Sequence, residues 1–253
     1  MTKAIILAAG EGTRLRPYTL DRPKCLVEVG GKSLLDYQLK VLRSLHVEPI
    51  AIVTGYMASR LNRPDLNTHI NPRYAETNMV WTLFCAESEL SGETIVAYGD
   101  IVYSKEVLGA LLASRHDISV IIDRQWESYW RARFSNPLHD AETLKLTADG
   151  RIREIGQKPH ALADIEGQYI GLMKFSEVGL SALKNVFHNA RQAGTLRGKP
   201  VEKAYMTDLL QVVIDGGHNV HAVPIDGQWV EIDSVSDLNL NITKQRLQAI
   251  ATG

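Results

Sequence analysis

The decisive stretch is Leu7-Ala8-Ala9-Gly10-Glu11-Gly12-Thr13-Arg14-Leu15-Arg16-Pro17, followed by Arg22-Pro23-Lys24. An apolar run from Ala4 to Ala9 ends abruptly in two glycines, a threonine and two arginines, and a lysine fixed behind a proline comes next. A buried strand would deliver such a loop to the edge of a sheet. Gly10 and Gly12 let the backbone come close to a ligand and take up φ > 0 where needed. Backbone N–H groups in the turn can point at phosphate oxygens, while Arg14 adds a planar fork and Lys24 a point charge. Two other glycine-rich loops are excluded. A Walker A loop needs Gly-Lys-Ser/Thr after a four-residue gap. The dinucleotide fingerprint needs a third glycine where Leu15 stands. For the two glycines alone, an ordinary turn with surface arginines suffices; the whole string asks for a phosphate grip.

Working outward, Ala4–Ala8 reads as a buried parallel strand. Ser33 opens an amphipathic helix, with Asp36 completing a capping box and Leu34, Leu35, Leu39, Leu42 and Leu45 at helical spacing. Strands are predicted at Ile50–Thr54, Leu66–Ile70, Thr94–Tyr98 and Ile118–Ile122, with helices at Met79–Leu90 and Ser104–Ser114. This alternation predicts an α/β fold with a doubly wound, mostly parallel sheet. Ligands in such sheets lie at the carboxyl ends of strands, where the glycine loop and Asp100 both fall. After Trp126 the pattern changes. Thr143–Leu146 and Ile152–Ile155 flank an Asp149-Gly150 turn, and Gln168–Phe175 is a strand. Helices follow at Val178–Ala193 and Tyr205–Ile214, short strands at Val220–Pro224 and Trp229–Ile232, and a closing helix at Val235–Ile250. With no Pro/Gly/Ser linker, the expectation is one domain over 1–253. Its nucleotide-binding part is about 1–123 and 205–253, and about 124–204 forms a small substrate-side lobe.

The chain has 253 residues, 45% of them apolar, and a formal net charge of −1, which suits one domain with an ample core. Near-neutral charge argues against a general nucleic-acid binder. Cys25 and Cys85 lack metal-ligand spacing and read as reduced thiols of a cytoplasmic protein. The N-terminal run is too short for a signal peptide, and no segment approaches the roughly 20 apolar residues of a membrane span, so no membrane insertion is expected.

Polyanion chemistry near neutral pH calls for a hard cation, and Mg²⁺ binds through one or two carboxylates plus substrate phosphates. Asp100 ends Val96-Ala97-Tyr98-Gly99-Asp100, and Asp233 ends Trp229-Val230-Glu231-Ile232-Asp233. Each could equally be a solvated acid, and Asp233 could cap the last helix. Trp126-Glu127-Ser128-Tyr129-Trp130-Arg131-Ala132-Arg133-Phe134 combines four aromatics with two arginines. Aromatic faces can hold a quaternary ammonium, and arginines a phosphate or phosphonate. Trp130, Arg131 and Arg133 are therefore candidate acceptor-binding residues, with packing of the lobe as the alternative. A carboxylate from Asp140 or Glu142 could meet a substrate ammonium; Glu142 is taken as the candidate.

Ala8-Ala9-Gly10-Glu11-Gly12-Thr13-Arg14-Leu15 with Pro23-Lys24 resembles the signature of the nucleotidyltransferases that make nucleoside-diphosphate sugars and cytidylylated small molecules. The resemblance runs over essentially the whole chain. It implies a Rossmann-like, GT-A-like sheet in which the loop backbone of Leu7, Ala8, Ala9 and Gly10 meets the base. It further implies that Gly12, Thr13, Arg14 and Lys24 hold the phosphates, with Asp100 and Asp233 matching the two metal-binding aspartates and Glu231 nearby. Sugar-nucleotide members carry a second glycine-rich loop after the third strand; this chain has Tyr74-Ala75-Glu76-Thr77-Asn78-Met79 there. That departure resembles the phosphocholine and aminoethylphosphonate cytidylyltransferase branch. Asn78 supplies the donor and acceptor a cytosine edge requires, or else caps the following helix. Lys158, in Gly156-Gln157-Lys158-Pro159, resembles the Glu-Lys-Pro element that grips the acceptor's phosphate, with Gln in place of Glu.

The resemblance thus implies a Mg²⁺-dependent cytidylyltransferase using CTP, with Arg14, Lys24 and Lys158 as catalytic residues. The acceptor is left open among phosphocholine, 2-aminoethylphosphonate, 2-hydroxyethylphosphonate and a phosphorylated amino acid or amide. A sugar-1-phosphate nucleotidyltransferase using UTP or dTTP, and a non-catalytic regulatory subunit, are the alternatives. Oligomeric state also stays open, a homo-oligomer included.

Overall fold

A computed structural model describes residues 1–61 and 63–252. Its first strand, β1 (Lys3–Ala8), shows why the run from Ala4 is unbroken and apolar. Ile5 and Leu7 pack into one apolar cluster, while Ala4, Ile6 and Ala8 pack into another on the opposite face. A strand buried on both faces has no polar positions to alternate with.

Further strands are β2 (Ile50–Thr54), β3 (Asn67–Ile70), β4 (Thr94–Tyr98) and β5 (Ile101–Tyr103). Then come β6 (Ile118–Asp123), β7 (Leu144–Leu146), β8 (Ile152–Ile155) and β9 (Gln168–Phe175). The last two are β10 (His221–Ile225) and β11 (Trp229–Glu231). Seven strands form the central sheet, in the order β10-β6-β9-β4-β1-β2-β3. All its pairings are parallel except those of β9, which runs antiparallel to both β6 and β4. The expected α/β, doubly wound, mostly parallel sheet is therefore what the chain forms. The stretch after Trp126 supplies both β9, inside this sheet, and the separate β7–β8 hairpin beyond it.

Helices cover both faces. Helix α1 (Leu34–Ser44) is capped by Ser33, whose Oγ accepts from the Asp36 N–H at 3.1 Å. With α3 (Lys105–Ala113) and α4 (Trp126–Arg133), α1 lies on one face. On the other lie α2 (Met79–Phe84), α5 (Glu177–Ala193) and α6 (Met206–Asp215). Two expectations need correction. The helix at Met79 stops at Phe84, not Leu90, and a short 3-10 turn, Glu87–Glu89, follows it. The closing helix is two, α7 (Val235–Asn239) and α8 (Asn241–Thr252). Leu240 between them has extended backbone, with an asparagine, a poor helix former, on each side. The Trp126–Phe134 stretch contributes a helix whose aromatics face the core, the packing alternative for that segment. No helix among the described residues is long and apolar enough to cross a membrane.

Candidate active site

The carboxyl ends of β1 and β4 open on a cavity of about 360 Å³. Leu7, Ala8, Ala9, Gly10, Gly12, Thr13, Arg14 and Lys24 line one side of it. Gly12 is in the left-handed region at φ +65°, and a Cβ there would stand 3.0 Å from the Lys24 side chain. Any other residue would be strained and would push Lys24 away. Thr19, fully buried, donates from its hydroxyl to the Gly12 carbonyl at 2.9 Å and fixes the loop from behind.

Asp100 and Asp233 reach this cavity by a pairing that the sequence did not announce. Strand β5 pairs antiparallel with β11, Ile101 opposite Glu231. The Ile232 N–H donates to the Asp100 carbonyl at 3.0 Å, so the two aspartates lie side by side at the end of the ladder. Lys24 Nζ donates to Asp100 Oδ2 at 2.8 Å and to Asp233 Oδ1 at 2.6 Å, and Arg14 forms an ion pair with Asp233. Burial by itself would favour neutral Lys24, but the two carboxylates outweigh it and hold the ammonium well above the ordinary lysine range. Asp233 is not a helix cap. That role belongs to Ser234 and Asp237, whose Oδ2 accepts from the Ser234 N–H at 2.8 Å. Asp233 thus keeps both carboxylate oxygens for cations.

The opposite side of the cavity is formed by Tyr74, Thr77, Asn78, Met79 and Thr82, and Tyr98 and Glu231 complete it. Asn78 starts α2 without a side-chain cap; its Nδ2 donates instead to the Lys203 carbonyl at 2.8 Å. Thr77, Thr82 and Tyr98 were not singled out from sequence. The helical spacing of Asn78 and Thr82 was the only signal that could have joined them.

The acceptor candidates fare differently. Trp130 is 3% exposed and packs edge-on to Trp126 and Tyr129 in the core. The Arg133 side chain is 1% exposed, ion-paired to Glu231 and to Asp237 at 3.0 Å, and lies over the Tyr129, Trp130 and Phe134 rings. Neither residue borders the cavity, and both side chains pack inward, as the packing alternative for this segment has it. Arg131 points outward and pairs with Glu127 at 2.7 Å, one helical turn away. Lys158 is exposed and lies outside the cavity lining. Glu142 also lies outside that lining; Thr207 Oγ1 donates to it at 3.4 Å, and burial pushes its carboxyl up to about 7. Asp208 is a helix-start acid, accepting from the Tyr205 N–H at 2.9 Å and from Lys199.

Comparison with known proteins places this geometry. The model of the MobA-like NTP transferase domain matches residues 4–164. The CTP:phosphoglutamine cytidylyltransferase of Campylobacter jejuni is 42% identical over 252 residues, covering 95% of this chain and 99% of that protein. The choline-phosphate cytidylyltransferase of Streptococcus pneumoniae is 37% identical over 98 residues, covering 37% of this chain and 43% of that protein. Among solved structures, the CTP:phosphocholine cytidylyltransferase from Streptococcus pneumoniae shares the fold with a TM-score of 0.75 at 23% identity, covering 97% of this chain and 99% of that one. The inositol-1-phosphate CTP transferase from T. maritima does so with a TM-score of 0.76 at 22% identity, covering 100% of this chain and 97% of that one. The chain belongs to the MobA-like NTP transferase family and is a nucleotidyltransferase.

Proposed function

We propose that this nucleotidyltransferase moves the CMP group of CTP onto a phosphate oxygen of a small phosphorylated acceptor, of the phosphoglutamine kind, and releases pyrophosphate. The observation that carries this reading is the end-to-end 42% identity to the Campylobacter jejuni CTP:phosphoglutamine cytidylyltransferase. The likeness to the choline-phosphate enzyme spans 37% of the chain and supports cytidylyl transfer without favouring its acceptor.

The acceptor's phosphoryl group is already anionic near pH 7, so its oxygen attacks without a general base. A bond forms from that oxygen to the α-phosphorus. The bond from the α-phosphorus to the oxygen bridging to the β-phosphorus breaks, and pyrophosphate departs with the electron pair. Catalysis is then positioning and charge neutralisation. Lys24 neutralises charge near the α-phosphate, Arg14 holds the departing pyrophosphate, Lys158 orients the acceptor's phosphate and Glu142 faces an acceptor ammonium. The backbone of Leu7, Ala8, Ala9 and Gly10 bounds the base, and Gly12 and Thr13 face the phosphates. In this reading residues 1–123 and 205–253 hold the nucleotide, and 124–204 bound the acceptor.

Asp100 and Asp233 would hold Mg²⁺. Their carboxylates already converge on one cation, the Lys24 ammonium, and Asp100 Oδ1 is buried without a hydrogen-bond partner among the described residues. Hard oxygen donors of this kind suit the ion, whose contribution when bound is neutralisation of the nucleotide phosphates. Cys25 and Cys85 are free thiols, in keeping with a cytoplasmic enzyme.

The test is pyrophosphate release with CTP, UTP, dTTP, ATP and GTP against phosphoglutamine, phosphocholine, 2-aminoethylphosphonate, 2-hydroxyethylphosphonate and hexose-1-phosphates. We expect turnover with CTP and phosphoglutamine, abolished by EDTA and restored by Mg²⁺. Preference for UTP or dTTP with a hexose-1-phosphate would overturn the reading.

A further inference from the structure

At the start of α2 this chain presents side chains to the cavity, and their hydrogen bonds are polarised in a definite sense. Asn78, the residue immediately before α2, and Thr82, within it, border the same cavity. The Asn78 amide lies 2.8 Å from the Lys203 carbonyl oxygen. A carbonyl only accepts, so the NH₂ end of the amide must face it, and Oδ1 is the acceptor left over. Among the described residues nothing donates to that Oδ1.

Thr82 is constrained in the complementary sense. Asn71 is fully buried, and its Oδ1 accepts from the Arg73 N–H at 3.0 Å, which fixes the amide's orientation. Its Nδ2 then donates to Thr77 Oγ1 at 2.8 Å and to Thr82 Oγ1 at 3.0 Å. Thr77 passes its own proton to the Arg73 carbonyl at 2.9 Å. The Thr82 hydroxyl accepts from Asn71 and, among the described residues, donates to nothing. Its residue is 6% exposed and borders the cavity, so the proton can only be satisfied by a ligand acceptor or water there.

We infer that Asn78 Oδ1 and the Thr82 O–H form an acceptor–donor pair that reads the Watson–Crick edge of cytosine, the 4-amino group donating to Asn78 and N3 accepting from Thr82. Asn71 and the Lys203 carbonyl are the positioning groups that set the polarity of the pair. Uracil carries O4 and N3–H at those places. With uracil, two acceptors would face each other at Asn78, and the Thr82 proton would lose its partner. A site built to hydrogen-bond one edge rejects the analogue that leaves its buried groups unpaired. The inference rests on the reading that CTP is the nucleotide, and it assigns nucleotide choice to side chains on a helix instead of loop backbone.

Calorimetric binding in Mg²⁺ without acceptor tests it on the unaltered protein. The probes are CTP, UTP, 3-deazacytidine triphosphate, which lacks the N3 acceptor, and zebularine triphosphate, which lacks the 4-amino group. Each analogue should bind about tenfold more weakly than CTP, the scale of one lost hydrogen bond in a desolvated site. Thr82→Val should lose about tenfold for CTP and nothing more for the 3-deaza analogue, while Thr82→Ser should bind CTP as the parent does. Equal binding of CTP and 3-deazacytidine triphosphate by the parent, or independent losses from Thr82→Val and the 3-deaza change, would overturn the pairing. Tighter binding of UTP than CTP would instead sink the CTP reading beneath it.

Discussion

Two stretches of this chain concentrate cations beside groups that could bind a ligand, the loop from Leu7 to Lys24 and the helix from Trp126 to Arg133, and they meet opposite fates. Lys24 lies between two carboxylates at the edge of an open cavity, where a ligand can take over its partners. Arg133 is enclosed, its side chain 1% exposed, with Glu231, Asp237 and three aromatic rings already around it. The residue types are alike; what differs is whether the remaining neighbours are protein or space. A cation saturated by buried protein groups stabilises the fold, whereas the same charge beside a cavity is available for chemistry.

The contrast can be broken at several points. Arg133→Ala should cost about 3–5 kcal/mol of stability in urea denaturation, because it leaves two carboxylates without their counter-ion. A stable variant with a raised acceptor KM would instead make Arg133 a substrate ligand. Next in size, Lys24→Ala or Asp100→Ala should lower kcat at least about a hundredfold at saturating Mg²⁺. Full activity in either would remove the cavity's assignment as the active site.

A smaller effect concerns Glu142, whose folded-state pKa burial raises from 4.5 to about 7. Between those values the folded state keeps a proton that the unfolded state has released, so this group's contribution to stability falls as pH rises through the window. Glu142→Gln abolishes that loss, and its melting temperature relative to the parent should climb by about 6 °C from pH 4.5 to pH 8. A constant difference would mean that the carboxylate is well solvated. Arg131→Ala should change stability by no more than about 0.5 kcal/mol and leave the acceptor KM unaltered, since it removes only an exposed pair with Glu127. A change in KM would return part of this helix to the acceptor side.

How legible the molecule was depended on the range of the interaction. Strands at Ile50–Thr54, Thr94–Tyr98 and Gln168–Phe175 have the bounds read from sequence, because burial on both faces leaves runs that are mostly apolar. Ser33, Ser104 and Ser176 cap their helices through contacts three residues away, a distance that sequence displays directly. The inward turn of Trp130 and Arg133 was hidden because an aromatic-rich segment is equally compatible with a binding surface and with a core face. The hydrogen bonds that polarise Asn78 and Thr82 were hidden for another reason: Lys203 is remote in sequence, and nothing in a string of residues tells which end of an amide faces it.

By itself the sequence determined the glycine loop and its cations, the alternation that makes a mostly parallel sheet, and the presence of acids at two strand ends. These depend on neighbours within a few residues or on a repeating burial pattern. Only the tertiary structure decided that Asp100 and Asp233 share one cation, since that rests on the pairing of Ile101 with Glu231 across the chain. It also decided which charges face a cavity and which are closed in the core. Electrostatic role follows from distance and solvent access, and neither is written in the order of residues.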